Sequence, residues 1–197
     1  MGIVPFNPLD KWNLGISIAN AIFEQEPQPL GSLTLFEGAG IYAIYYTGNF
    51  QLYNKISTKN KISMTSPIYA GKAVPEGARK GGLGIEIPKG SYLFKRLNEH
   101  RKSIESVNNL KIEDFFCRYL VVDDIWIPLG ESLIIEKTQP LWNITLDGFG
   151  NHDPGSGRHN QQISTWDTLH PGRSWAQKLK NGKSVEEIEK SIINFLK

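Results

Sequence analysis

The stretches Gly40–Thr47 (GIYAIYYT) and Pro67–Ala73 (PIYAGKA) decide how this chain is read. Both are rich in the β-branched and tyrosine side chains that suit a pleated surface, and Gly48-Asn49 and Gly71 punctuate their ends. They are predicted to form two antiparallel, half-buried strands. Because side chains alternate along a strand, Ile41, Ala43 and Tyr45 share one face, and Tyr42, Ile44 and Tyr46 the other. A phenol then projects from each strand. Taken singly, Tyr42 and Tyr69 read first as core rings with hydroxyls at the surface. Their surroundings decide whether they do more.

The 197 residues are 40% hydrophobic and 21% charged, an ordinary soluble make-up that suffices for one domain with extensions and a substantial core. No apolar run approaches the roughly 20 residues that span a bilayer, and the amino terminus lacks a charged-then-apolar leader pattern. A cytoplasmic protein with no membrane partner is expected. The only cysteine, Cys117, excludes an intrachain disulfide and a Cys-rich zinc site; its neighbours Phe115, Phe116, Tyr119 and Leu120 mark it as a buried structural thiol. The net charge of +2 hides an asymmetry, since residues 48–111 carry 12 Lys or Arg against 4 Glu and the rest is acidic. A basic middle third suits a face that binds a polyanion, and equally a solvated surface of mixed charge.

In chain order, residues 1–12 read as an arm. A helix is expected from Asn13 as its cap, with Leu14, Ile18, Ala21 and Ile22 at helical spacing and Pro27 and Pro29 beyond its end. Residues 49–66, with Lys55, Lys59 and Lys61 among polar side chains, read as an elaborated, exposed hairpin loop. Residues 74–90, with Arg79 and Lys80 in a span dense in glycine and proline, read as a flexible basic loop. Both loops leave the same hairpin and suit contacts to a nucleic-acid backbone; plain surface loops are the alternative. Ser91 is expected to cap a helix that turns Leu93, Leu97 and Ile104 inward. On it Arg96 and His100, four apart, are neighbours, either solvated or pointing into a pocket shared with the tyrosines. Phe115–Val122 is a third, apolar strand.

Trp126–Gln139 reads as a further helix with Pro128 near its first turn. Glu131 lies there inside the apolar run LGESLII, where a carboxylate costs several kcal/mol of desolvation unless it is paired or binds a cation. After Pro140-Leu141-Trp142-Asn143 the chain changes character. The run GFGNHDPGSGRHNQQ, residues 148–162, is suited to setting Arg158, His159, Asn160, Gln161 and Gln162 against base edges, with Arg favouring guanine and Asn or Gln adenine. An ordinary polar loop is the other reading. Pro171 is expected to open a short helix to Leu179. Ser184 with Glu187 forms a capping box for a final helix with Val185, Ile188, Ile192 and Leu196 inside.

Taken in order, GIY from Gly40, YAG from Tyr69, Arg96 and His100 on one helix, Glu131 on the next and Asn143 just after it resemble the GIY-YIG nuclease superfamily. Within it, the strings GAGIYAIYYTG, PIYAGKAVP, PLWN, DGFGNH and HPGR are similar to the small type II restriction endonucleases that cut the palindrome CCGCGG, so the resemblance runs from about Gly38 to Trp175. The second triplet departs in ending Tyr-Ala-Gly rather than Tyr-Ile-Gly, which alters one buried contact. The resemblance implies an α/β (α+β) fold, a small antiparallel three-stranded sheet flanked by helices. Residues 1–37 would be an amino-terminal arm and helix, 38–143 the nuclease core and 144–197 a DNA-recognition and helical extension. It further implies a site-specific deoxyribonuclease acting on double-stranded DNA with one Mg²⁺ per site, Mn²⁺ being able to substitute, and a homodimer that forms on DNA if not before. By the same resemblance Tyr69 orients water or phosphate, His100 assists proton transfer, and Asn143 supports the metal and phosphate site.

The chemistry of phosphodiester hydrolysis asks for the same residue types: an activated water, neutralisation of the phosphorane-like transition state, and help for the leaving 3′ oxygen. Tyr42 can serve as base if its pKa falls by about 3 units, worth about 4 kcal/mol, an effect expected of Lys72, His100 and a metal ion. Arg96 suits the scissile phosphate, and Glu131 a Mg²⁺ that keeps most of its water. Other nuclease types lack their signatures: no Glu-x-Lys or Asp-x-Lys strand stands in a suitable context, His159-Asn160 is too little for an HNH site, and no P-loop occurs. A catalytically inactive DNA reader of the same fold would have lost Tyr42, Arg96 or Glu131, all present. A repair or homing nuclease is the remaining alternative, usually one module of a longer chain.

Overall fold

Four strands, β1 (Gln28–Pro29), β2 (Gly40–Tyr46), β3 (Tyr69–Ala73) and β4 (Phe115–Val121), pair antiparallel in the order β1-β4-β2-β3. The computed structural model describes residues 7, 9–75, 90–155 and 160–197. The two runs read as a hairpin pair do pair, with Tyr42 opposite Gly71 on one side and opposite Tyr119 on the other. The sheet has one strand more than expected, because the dipeptide Gln28–Pro29 adds to the free edge of β4. Such a short, proline-bearing strand is suited to an edge. Gly40 is required by close approach: a Cβ there would collide with the carbonyl oxygen of Leu120 on β4.

The alternation expected of β2 is seen, but β2 is not half-buried. All seven of its residues are buried, since helices cover both faces. Ile41, Ala43 and Tyr45 pack with Ala19 and Ile22 of α1 (Lys11–Phe23) and Ile127 and Ile134 of α4 (Ile127–Thr138). Tyr42, Ile44 and Tyr46 join the larger core on the other face. That core takes Ile56 from α2 (Asn54–Ser63), Leu93, Leu97 and Ile104 from α3 (Tyr92–Glu105), Trp142 from α5 (Leu141–Ile144), Trp166 from α6 (Thr165–Leu169), and Ile188 and Ile192 from α7 (Val185–Phe195). Residues on both sides of position 143 therefore share one apolar cluster. Cys117 is buried within it, and burial pushes its thiol up to about 12, as suits a structural residue.

Several local expectations are corrected. The first helix is capped by Asp10, whose carboxylate accepts from the Trp12 amide, while Asn13 lies inside the helix and donates to the Asn7 carbonyl. Residues 49–66 are not an elaborated loop. They form a 3₁₀ turn and α2, which ends at Met64 with φ 40°. The stretch reads as a loop because it is polar, yet its polar residues are structural: Asn60 donates to the Tyr46 and Ser66 carbonyls and accepts from the Ser66 amide, and Ser57 donates to the Gly48 carbonyl. Of the two positions left open for His100, solvated or facing a pocket beside the tyrosines, the buried one is taken. The turn before Pro171 forms α6, capped by Ser164, and only a 3₁₀ turn at Ala176–Lys178 follows where a helix to Leu179 was expected. The final helix has its capping box, although Val185 is exposed. The arm at residues 1–12 and the loop at 74–90 lie in part, and Arg79, Lys80, Arg158 and His159 wholly, outside the described residues. Among the described residues no helix is long and apolar enough to cross a membrane.

A buried polar chain ties the end of α6 to the core. His170 donates from Nδ1 to Asn109 Oδ1 at 2.9 Å, so its Nε2 accepts the Tyr53 hydroxyl at 2.6 Å, and the Trp142 indole donates to that hydroxyl at 3.1 Å. Burial lowers His170 from 6.5 to about 3. Between these values the unfolded chain binds a proton that the folded chain refuses, so stability rises with pH across this window and is lost as pH falls. Urea unfolding across the window is expected to show a slope to which His170 contributes up to ~1.4 kcal/mol per pH unit. That share should vanish in His170→Gln.

Candidate active site

The site forms where the edge strand β3 meets α3 and α4. Tyr42 is 1% exposed, and its hydroxyl lies 2.6 Å from His100 Nε2, a bond joining the centre of β2 to the third turn of α3. Gly71 makes room for it, because a Cβ there would collide with the Tyr42 hydroxyl. Tyr69 packs its ring near both, with centroids 6.3 Å from Tyr42 and 5.2 Å from His100. Arg96 stands one turn before His100 on the same face, as its spacing predicts.

Electrostatics separate these groups. Burial, and then the neighbouring Tyr69, hold the Tyr42 phenol well above 10, although Arg96 pulls it down. Tyr69 is also raised, chiefly by burial. Burial, followed by the positive charge of Arg96, keeps His100 well below 6.5, so its imidazole is neutral. The expected depression of Tyr42 is therefore not a property of the free protein: in a dry core no group present outweighs the loss of water. A neutral imidazole facing a phenol can instead take the phenolic proton while the phenol takes another.

Across β3 lies the second half of the site. Lys72, two residues along from Ala70 and so on the α4 side of the strand, places Nζ 2.6 Å from Glu131 Oε2. Glu131 was expected to be either paired or bound to a cation. It is paired, and its side chain remains 20% exposed. Its negative charge adds to the upward shift of both the Tyr42 and the Tyr69 phenol. Asn143 binds β3 at the same level, accepting from the Ala70 amide and donating to the Ala70 carbonyl, both at 2.8 Å. Its amide thus acts as an extra strand residue that holds Tyr69 and Gly71 in place. Tyr42, Tyr69, Arg96, His100, Lys72, Glu131 and Asn143 are accordingly gathered around one strand edge.

Residues of the segment 148–152 complete the site and were not singled out from sequence. Phe149 stacks on His100 with centroids 4.6 Å apart and an interplanar angle of 17°. The Gly150 carbonyl accepts from Arg96 Nη2 at 3.0 Å. His152 Nε2 accepts from Arg96 Nη1 at 2.6 Å, and Glu99 accepts from the same nitrogen at 2.9 Å. The string DGFGNH carried the family resemblance, but nothing in its spacing showed that it folds back onto α3. The three lysines read as a backbone contact all lie on α2: Lys59 is exposed, Lys55 donates to the Leu196 carbonyl at 2.6 Å, and Lys61 donates to Asn49 at 3.1 Å. Asn160 and Gln161 are exposed, and the Gln161 carbonyl accepts from the Lys180 amide.

A Tyr–His pair, a second tyrosine and an arginine thus stand beside an edge strand with a carboxylate across it, the residues on which the resemblance to GIY-YIG nucleases was drawn. Residues 34–196 match the family model of the Eco29kI GIY-YIG domain, and the chain belongs to that restriction-endonuclease family. No curated protein matches the chain significantly.

Asn143 offers a direct test of this architecture. Asn143→Ala leaves the Ala70 amide and carbonyl without partners in a part-buried setting, a loss of roughly 1–3 kcal/mol. A lower melting temperature together with reduced cleavage is expected in a thermal melt and a plasmid digest. Unchanged values for both would deny Asn143 its hold on β3.

Proposed function

We propose that the protein is a type II restriction endonuclease that hydrolyses DNA phosphodiester bonds at a short GC-rich palindrome, CCGCGG. The observation that carries this reading is the gathering of Tyr42, His100, Tyr69, Arg96 and Glu131 at one strand edge in a chain of this family. Nucleophilic water enters beside the Tyr42 hydroxyl. As Tyr42 takes a proton from the water it passes its own to His100 Nε2, so the phenol relays a proton and never stands as a free phenolate. The depressed basicity of His100 keeps that nitrogen bare at neutral pH. Arg96 exchanges Glu99 and His152 for the scissile phosphate and offers its planar fork to the charge developing there. Tyr69 donates to the same phosphate or to the water.

Glu131 is the residue that would hold Mg²⁺. The donor chemistry fits: a partly exposed carboxylate already faces a cation, the Lys72 ammonium. Mg²⁺ keeps several of its waters and needs few carboxylates, so Glu131 with water would suffice as its protein ligand. When bound, the ion supplies charge to the leaving 3′ oxygen. With Glu131 so engaged, Lys72, its present partner, would be able to turn toward a DNA phosphate. Asn143 supports the strand on which this exchange happens.

For the DNA itself, Lys55, Lys59, Lys61, Arg79 and Lys80 are proposed to hold the backbone, and Arg158, His159, Asn160 and Gln161 to read bases. One site of this kind cuts one strand, so a two-fold palindrome is most simply matched by two copies on the duplex. Sedimentation with a short duplex carrying CCGCGG is expected to give two chains per duplex, and a one-to-one complex that cuts both strands would exclude the dimer.

Two substitutions test the chemistry. Glu131→Ala is expected to abolish Mg²⁺-dependent plasmid cleavage while leaving gel-shift binding of a CCGCGG duplex intact. Tyr42→Phe keeps the ring but removes the relay, so a folded protein with a single-turnover rate lower by ~10²-fold or more is expected. Near-normal cutting by either protein removes that residue from the mechanism, and sequencing the digested ends checks the recognition site.

A further inference from the structure

Arg173 lies far along the chain from Tyr42, Arg96 and Glu131 and is 5% exposed. Every one of its five N–H groups is used. Nε and Nη2 donate to the two oxygens of the buried Asp167 at 2.6 and 2.7 Å, Nη2 also to the Gly148 carbonyl at 2.8 Å, and Nη1 to the Phe149 and Asn151 carbonyls, both at 3.1 Å. The guanidinium is further held between Trp166 and Trp175, 4.6 and 4.8 Å from their ring centroids. A buried arginine that spends three donors on consecutive stretches of one irregular segment is a clamp on that segment. The clamped segment is the one that touches the reacting groups: the Gly150 carbonyl and His152 receive Arg96, and Phe149 lies flat on His100.

We propose that Arg173 is a positioning residue for strand cleavage, which fastens the segment 148–152 so that Arg96 is aimed at the phosphate and His100 is sealed from water beside Tyr42. The claim rests on the nuclease reading above and extends it to a residue that touches neither DNA nor metal. A lysine cannot replace the fork, because a single ammonium reaches neither both Asp167 oxygens nor three carbonyls at once. Asp167 shares the task by holding the fork in its plane. Tyr42 and Tyr69 from the sheet touch His100, and the charges that act on it are Arg96 on its own helix and His152 and Arg173 from the carboxy-terminal part. If the segment lifts, water reaches the imidazole, and its titration moves up toward that of an ordinary histidine.

The experiment compares wild type, Arg173→Lys and Asp167→Asn by thermal melting, by single-turnover cleavage of a CCGCGG duplex at saturating protein, and by NMR titration of the His100 ring protons without DNA. Both variants are expected to remain folded at the assay temperature. Their maximal cleavage rate should fall by ~10-fold or more with half-saturation little changed, as for loss of an interaction made only in the transition state. The His100 titration is expected to shift upward in both. A wild-type rate with an unmoved His100 titration in a folded Arg173→Lys overturns the proposal, and if that variant does not fold, the same result in Asp167→Asn does so. Should wild type itself cut no DNA, the nuclease reading fails, while the His100 titration still reports whether Arg173 seals the imidazole.

Discussion

The bond between the Tyr42 hydroxyl and His100 Nε2 is the contact on which the rest of the structure depends. It is made in a region from which water is excluded, so neither group can ionise cheaply and each must satisfy the other. That requirement fixes the rotation of α3 over β2, since His100 reaches Tyr42 only if Leu93, Leu97 and Ile104 lie on the same inward side. The same rotation carries Arg96, one turn earlier, to the rim of the site. Gly71 on the neighbouring strand belongs to the same constraint, because any side chain there would occupy the place of the phenol.

The edge position of β3 explains why the reacting groups are split. Successive residues of a strand face opposite sides, so Tyr69 joins Tyr42 and His100 while Lys72 meets Glu131 beneath the sheet. In the middle of a sheet those two sets would be separated by flanking strands. At the edge they face each other around one backbone. An unpaired strand edge also carries the risk of joining another chain, and here Asn143 takes the Ala70 amide and carbonyl for itself.

The carboxy-terminal part is built as a lid fastened from behind. Its polar chain from Asn109 through His170 and Tyr53 to Trp142 locks α6 to the core, and its buried Arg173–Asp167 pair is fully bonded. A buried ion pair is costly unless all its donors and acceptors are satisfied, and this one meets that condition by enlisting backbone carbonyls next to the site. Stability of the extension and geometry of the active site are thus secured by the same bonds.

The amino-acid sequence by itself determined the strand pair, the alternation of β2, the pairing of Arg96 with His100 on one helical face and the capping box of α7, because each rests on local periodicity or a short-range bond. The order of GIY, YAG, Arg96, His100, Glu131 and Asn143 was legible for the same reason. Local pattern failed where polarity was mistaken for exposure: α2 was read as a loop because Ser57 and Asn60 look solvated, and only the fold supplies the carbonyls that bury them. Glu131 was read as a carboxylate that must be paired or bind a cation, but its partner Lys72 lies on another element and is found only by packing. Which side of His100 is dry, that Tyr42 is raised rather than lowered, and that His152 meets Arg96 while Arg173 holds the segment beside it were decided by tertiary structure alone. Desolvation and long-range hydrogen bonds depend on which distant segments meet, and no spacing along the chain encodes that meeting.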